Sequence, residues 1–189
     1  MNIHEIIKDK SMIMTLCISM LLSLTACGQT NKQSNSKKTS NKEVMSKPLN
    51  PYYSNTDTTK LTLTDEEWKK VLPIEVYEVS RHAETERPFT GKYWNTEDLG
   101  TYYCAACGNK LFRSDAKFSS TCGWPSFFEQ ESKSSVVYKK DNTLGMERTE
   151  ALCGRCDGHL GHLFDDGPPP TGKRYCMNSI VLDFVPDKK

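Results

Sequence analysis

Residues 146–164 read MERTEALCGRCDGHLGHLF, and the Cys153-Gly154-Arg155-Cys156 knuckle inside this stretch decides how the chain is read. A β-rich run from Gly145 to Leu152 leads into it. The same C-x-x-C pattern stands at Cys104-Ala105-Ala106-Cys107, after Thr101-Tyr102-Tyr103. Each knuckle sets two thiolates across a tight turn at a separation suited to one tetrahedral ion, and Gly108 and Gly154 permit the φ values such turns require. Two knuckles complete a four-sulfur shell, and a closed shell means a structural Zn2+ rather than a catalytic one. The interval from Cys107 to Cys153 is longer than in a compact zinc ribbon, so the ion staples two distant hairpins. The competing assignments are a pair of disulfides, or one knuckle acting as a redox dithiol. Two equal knuckles are hard to explain as redox sites, and C-x-x-C disulfides close loops too small to stabilise much, so zinc is favoured.

Outward from the knuckles, further β-rich runs fall at Lys110 to Phe112, Ser135 to Lys139 and Ser179 to Val185, separated by Gly and Pro. Ahead of them, Thr64-Asp65-Glu66-Glu67 has the form of a capping box, predicting a helix from Asp65 to about Leu72 stopped by Pro73; a second helical stretch runs from Glu75 to about His82. Short strands behind two leading helices predict a mainly β (α+β) domain over 61–189, antiparallel, with helices on one side.

The N-terminal third has a different character. A run without charges, residues 11–27 (SMIMTLCISMLLSLTAC), is too short to span a bilayer comfortably and sits where an export signal would, giving a signal over 1–26. Its end, Leu24-Thr25-Ala26-Cys27, resembles the lipobox of bacterial lipoproteins, which implies diacylglyceryl attachment at Cys27 and an extracytoplasmic, membrane-anchored protein. An uncleaved anchor or an ordinary secretory signal is the alternative; small residues before the cysteine favour the lipobox. Residues 27–60 are rich in Ser, Thr, Asn and Lys with few large apolar side chains, which predicts a flexible tether with a reach of roughly 30 Å. Tyr52 and Tyr53 are its candidates for packing on the domain.

The 25 basic and 24 acidic side chains of the 189 residues leave a formal charge of +1, so no nucleic-acid partner is advertised. A charged fraction of 26% excludes a polytopic membrane protein, and 10% aromatics argue against disorder throughout.

Setting aside the signal and the knuckles leaves Cys122, in the Gly/Pro-rich segment CGWPSFF, and Cys176, in RYCMNS. Arg174 lies two residues from Cys176 on the same face of an extended chain, where a guanidinium favours thiolate over thiol, and the thiolate is the nucleophile. His159 and His162 lie between the second knuckle and Cys176. Cysteine, histidine and arginine on β-edge loops are the parts for attack by sulfur with proton delivery. The residues alone equally allow a buried disulfide between Cys122 and Cys176, with the histidines as turn residues or additional zinc ligands.

Taken together, RPFTGKYWNT, CAACG, SSTCGWPSF, MERTEALCGRCDGHLGHLFDDGPPPTG and RYCMNS resemble the B-type peptide-methionine (R)-S-oxide reductases (the MsrB family), in order from about Leu61 to the C-terminus. The resemblance implies a small rolled, barrel-like antiparallel β fold, Cys176 as catalytic nucleophile and Cys122 as the resolving cysteine. It implies that Arg174, Asn178, His159 and His162 line the sulfoxide pocket, that Trp124 packs against the substrate methyl group, and that Cys104, Cys107, Cys153 and Cys156 are the zinc set. It also implies oxidised proteins bearing methionine (R)-sulfoxide as substrates and an external dithiol as reductant; for an enzyme held outside the cytoplasmic membrane, where soluble thioredoxin is absent, the reductant expected is a membrane-linked thioredoxin-like protein. Phe127 and Phe128 are further candidates for the methyl contact, against ordinary core packing. The alternatives of another class are a secreted zinc-stapled binding module with a static disulfide and a general thiol-disulfide oxidoreductase.

Overall fold

The computed structural model describes residues 50–188. The signal at 1–26, the lipidation site Cys27 and the tether as far as residue 49 lie outside the described residues. Helix α1 (Asp65–Val71) begins with both halves of the capping box: the Glu67 amide donates to Thr64 Oγ1 at 3.3 Å and the Thr64 amide donates to the Glu67 carboxylate at 2.7 Å. Pro73 breaks the chain and serves as N-cap of α2 (Ile74–His82), which ends at Ala83 with a left-handed φ of 55°. Trp68 is the buried residue of α1, and Val76, Tyr77 and Val79 are apolar residues that α2 buries.

The strands that follow the helices pair antiparallel in two sheets. Strand β1 (Gly100–Cys104) lies between β2 (Lys110–Arg113) and β9 (Leu182–Pro186) in a three-stranded sheet. The second sheet has six strands in the order β3 (Lys117–Phe118), β4 (Ser126–Phe127), β8 (Arg174–Met177), β7 (His159–Phe164), β6 (Arg148–Cys153), β5 (Val136–Asp141). The mainly β expectation with two short leading helices is met. Two expected details change. The Gly-rich stretch 159–164 and the segment around Cys176 are central strands rather than edge loops. Gly158 and Gly161 hide the first by interrupting the period-2 alternation by which a strand is recognised, and the second is only four residues long. The final strand also begins three residues later than the β-rich run, since 179–181 form a 3-10 turn.

Aromatic side chains from both sheets meet in the core. Phe112 of β2 stacks on Phe127 of β4 with centroids 4.3 Å apart and planes within 9°, and Tyr102 of β1 meets Phe127 edge-on at 5.0 Å. All three are fully buried, so Phe127 is a core residue rather than a substrate contact.

Residues 50–60, read as the end of the tether, lie along the two knuckle turns. Their polar composition buries little apolar area, yet it suits hydrogen bonding to exposed turn backbone. The Ser54 amide donates to the Cys107 carbonyl at 3.0 Å, Asn50 Nδ2 to the Ala106 carbonyl at 2.7 Å, and Lys60 Nζ to the Gly154 carbonyl at 3.1 Å. Arg155, inside the second knuckle and only 3% exposed, closes this strap. Its guanidinium donates to the carbonyls of Thr59 at 3.1 Å, Tyr52 at 3.0 Å and Cys107, and to the Asp57 carboxylate at 2.8 Å. Replacing Arg155 with Met strands those acceptors. Amide exchange at Ser54 and Leu61 is then expected to quicken by roughly 10- to 100-fold, the scale of one charged hydrogen bond, while the amides of β7 stay protected. Unchanged exchange at Ser54 would show that Arg155 does not hold the strap.

Candidate active site and metal centre

The turn from β1 to β2 supplies Cys104 and Cys107, and the turn from β6 to β7 supplies Cys153 and Cys156. Sγ of Cys104 lies 3.8 Å from that of Cys156, Sγ of Cys107 lies 3.6 Å from that of Cys153, and all four sulfurs fall within 4.8 Å of one another. A tetrahedral ion with metal-sulfur bonds of ~2.3 Å sets its sulfurs about 3.8 Å apart. The four cysteines are buried. The cluster therefore fits a metal ion, and it is the four-cysteine set expected from the sequence. The two knuckles are built alike: the Gly108 amide donates to the Cys104 carbonyl at 2.7 Å and the Asp157 amide to the Cys153 carbonyl at 2.9 Å. In both, the left-handed residue follows the second cysteine, Gly108 at φ 78° and Asp157 at φ 53°. Gly154 is thus not the left-handed residue expected. It is required by close approach, because a Cβ there would stand 1.8 Å from the Ser134 carbonyl oxygen.

The remaining two cysteines meet elsewhere. On β8, Tyr175 and Met177 point into the core while Arg174 and Cys176 are half-buried, the alternation of a strand with one covered face. Cys176 sits opposite Ser126 of β4 on one side and His162 of β7 on the other. Cys122, in the loop before β4, brings its sulfur to 3.5 Å from that of Cys176. Only a short approach separates this pair from the ~2.05 Å of a disulfide.

The two thiols differ in acidity, in the opposite sense to that expected from Arg174. Burial pushes the Cys176 thiol up to about 12, the nearby Cys122 adds to the shift, and Arg174 pulls against both without overcoming them. Cys122 is also partly buried, yet hydrogen bonding to Ser120, at 2.9 Å, and to Ser126 outweighs that cost and brings it down to about 7. Two sulfurs 3.5 Å apart share one negative charge, and in the reduced pair it rests on Cys122, which has the hydroxyl donors. The Arg174 guanidinium is engaged by the Asp166 carboxylate through two 2.8 Å bonds and lies over the Phe164 ring at 4.2 Å.

A pocket of about 140 Å³ opens above Cys176, walled by Trp124, His162, Phe164, Asn178, Thr85 and Arg148 among others. Trp124 is fixed by its indole N–H, which donates to the Glu86 carbonyl at 3.1 Å. Asn178 accepts from the Glu86 amide at 3.1 Å and donates to the Leu160 carbonyl at 3.2 Å. His162 Nε2 lies 2.8 Å from Asp141 Oδ2, which also accepts from Arg148 at 2.6 Å. Hydrogen bonds from Thr143, with His162 and Arg148, hold the Asp141 carboxyl far below the usual range, so it stays ionised. An ionised acceptor assigns the hydrogen to Nε2 and leaves Nδ1 of His162 free for other partners.

Of the residues expected to line a pocket, the structure brings together Cys176, Trp124, His162 and Asn178. His159 and Arg174 are not on its wall. His159 is buried behind His162, its ring 5.5 Å away and its Nδ1 2.7 Å from Glu150 Oε1; burial lowers its pKa although Glu150 opposes the shift. Phe128 is not on the wall either. The sequence reading missed Asp141, Arg148, Glu150 and Glu86. Arg148 and Glu150 carried a signal, alternate charges on a strand directly before a metal knuckle. Asp141 and Glu86 carried none, because their roles depend on a hairpin closing and on a loop returning across the sheet.

Against known proteins, the SelR domain family matches residues 72–186. A peptide methionine sulfoxide reductase MsrB of Herminiimonas arsenicoxydans is 54% identical over 127 residues, 67% of this chain and 93% of the relative. An MsrB of Pseudomonas fluorescens is 55% identical over 127 residues, 67% of this chain and 98% of its own length. One from Acinetobacter baumannii is 51% identical over 130 residues, 69% of this chain and 94% of its own. With two thiols in contact beside a small aromatic pocket and a family match across the whole β domain, the chain belongs to the MsrB family of peptide methionine sulfoxide reductases.

Proposed function

We propose that the chain reduces methionine (R)-sulfoxide in proteins, with Cys176 as nucleophile and Cys122 as resolving thiol. The observation that carries this reading is the Cys176 sulfur in a pocket walled by Trp124 and His162, with the Cys122 sulfur 3.5 Å from it. The R epimer follows from the family resemblance. In the first step the Cys176 sulfur attacks the sulfoxide sulfur, the S–O bond breaks, and the oxygen ends on Cys176 as a sulfenic acid while methionine leaves. Atoms and charge balance with the thiol's own proton, so a resting Cys176 that still carries it is suited to the step. His162, through Nδ1, is the group placed to relay that proton to oxygen, and Asn178 is the neutral donor beside it. Cys122 then attacks the sulfenic acid, water leaves, and the disulfide awaits an external dithiol. A binding module with a static disulfide accounts for neither the pocket nor the family, and a C-x-x-C redox site does not suit cysteines gathered four to a cluster.

Zn2+ in the four-cysteine cluster is the second part of the proposal; its work is to hold two turns together, and no step of the reduction runs through it. The third part is location. The lipobox-like Leu24-Thr25-Ala26-Cys27 supports a lipid-anchored, extracytoplasmic enzyme that repairs surface proteins, served by a membrane-linked thioredoxin-like donor.

Cys176→Ser is expected to abolish turnover. Cys122→Ser should release about one methionine per enzyme with thioredoxin as sole donor, leaving a sulfenic acid that mass spectrometry detects; normal cycling by this variant would reject the resolving role. In the reduced wild type, alkylation of Cys122 should rise with pH around a midpoint of about 7, since only the thiolate reacts, while Cys176 lags at every pH below about 12. Faster labelling of Cys176 at neutral pH would overturn the charge assignment. Cys104→Ser should release the metal and lower Tm by ten degrees or more, on the order of what losing ~3 kcal/mol does to a domain of this size; an unchanged Tm would reject a structural metal.

A further inference from the structure

Beside the reactive pocket lies a second, larger concavity of about 800 Å³, between α2, residues 85–93 and residues 179–183. Its wall is mainly apolar, with Ile74, Val76, Val79, Tyr93, Ile180 and Leu182 contributing, and Ile74 at the first turn of α2 is 55% exposed. Lone exposed apolar residues need no explanation, but a continuous apolar groove does. The groove adjoins the sulfur pocket at one wall residue: Thr85 lines both, and Asn178 of the pocket is followed directly by Ser179 and Ile180 of the groove.

Glu86 fixes the partition between them. Its carboxylate accepts from the amides of Ser179 at 2.6 Å and Ile180 at 3.0 Å, its amide donates to Asn178, and its carbonyl receives the Trp124 indole N–H. One residue therefore holds the pocket wall and the groove floor in a single arrangement. The pocket, at about 140 Å³, has room for one side chain and none for the main chain that carries it. A polypeptide presenting an oxidised methionine must pass over the rim, and across Thr85 it enters the groove.

Charge narrows the class of polypeptide. Of the charged residues along the groove, Glu75, Glu78, Glu86 and Asp183 are acidic and Lys92 alone is basic. The Glu86 carboxylate is engaged as described, Asp183 is hydrogen-bonded by Tyr53, and Lys92 lies over the Tyr93 ring at 5.1 Å. Glu75 and Glu78, one turn apart on α2, are exposed. We propose that this groove is a specificity subsite that binds the polypeptide flanking the oxidised methionine, selecting substrates with apolar residues beside the sulfoxide and a lysine or arginine beyond them. The inference rests on the reductase reading of Cys176 and adds what that reading lacks, a means of distinguishing one oxidised protein segment from another.

The test is steady-state kinetics of the full chain on three probes: N-acetyl-methionine (R)-sulfoxide, and two sets of peptides carrying the same sulfoxide. In one set Leu-Leu-Lys stands before or after the sulfoxide; in the other Ser-Gly-Glu takes those places. The wild type is expected to show a kcat/KM about tenfold higher for one Leu-Leu-Lys placement, the scale of one apolar side chain entering a pocket. Ile74→Gln, and separately the pair Glu75→Lys and Glu78→Lys, should remove that preference and leave the N-acetyl substrate unchanged; these side chains are exposed, so the variants fold. Equal rates on both peptide sets, or variants that slow the N-acetyl substrate as much as the peptides, would overturn the subsite. A wild type inactive on all three probes would instead sink the reductase reading itself, a distinguishable result.

Discussion

Four buried sulfurs, two from each of two turns, meet where the β1–β2 hairpin of one sheet packs against the β6–β7 hairpin of the other, in an arrangement that fits one metal ion. The geometry of the reactive site depends on this junction, because β7 leaves the second knuckle and carries His162 into register with Cys176. The strap closed by Arg155 and the stacked Phe112 and Phe127 reinforce the same junction from outside and inside. A domain of this size with many short strands buries limited apolar surface, and a cross-link between distant turns restricts the unfolded chain more than a local one does.

One fold thus places cysteine in two settings with opposite chemical consequences. In the cluster each sulfur has three sulfur neighbours and almost no access to water, an arrangement for holding a cation and resisting reaction. At the pocket each sulfur has one sulfur neighbour, hydroxyl groups on the Cys122 side and an open face on the Cys176 side. The hydroxyls favour the thiolate on Cys122, and burial keeps Cys176 a thiol. That division suits the proposed reduction, in which the attacking sulfur and the proton received by oxygen are needed at the same moment.

Much of this arrangement was legible in the sequence, for identifiable reasons. The knuckles, the capping box at Thr64 and Pro73 are local signals: they act within one turn and read the same in any fold. The pairing of Cys122 with Cys176 was not local, and the residues alone left a static disulfide equally open; the family resemblance separated the two. Strand β7 was obscured by Gly161, and β8 by its brevity and by Arg174 on its half-buried face, although His162 and Cys176 occupy central positions that an apolar run would normally announce. Arg174 acts on Cys176 in the direction its position two residues along an extended chain implies, lowering the thiol, but the burial of that sulfur, which no local signal announces, outweighs it. Asp166, brought back by the turn after β7, also engages the guanidinium.

His159 shows how similar motifs divide their work once folded. In HLGH the two histidines look interchangeable, and Gly161, which alone tolerates a backbone so close to Cys176 (a Cβ would stand 2.1 Å from that carbonyl), separates them. The β6–β7 register shifts between Ala151 and Leu152, which pairs His162 with Glu150 and His159 with Leu152 and so brings both rings to one face of the sheet, 5.5 Å apart; His162 lines the pocket with Asp141 behind it, and His159 lies buried against Glu150. Each histidine has a carboxylate, yet only His162 lines the pocket. Burial favours the neutral form of His159, which suits a packed support. Residues three apart on a regular strand face opposite ways, so it is the irregularity in register that sets the two rings side by side, and the opening beside His162 that then tells them apart; the spacing H-x-x-H encodes neither.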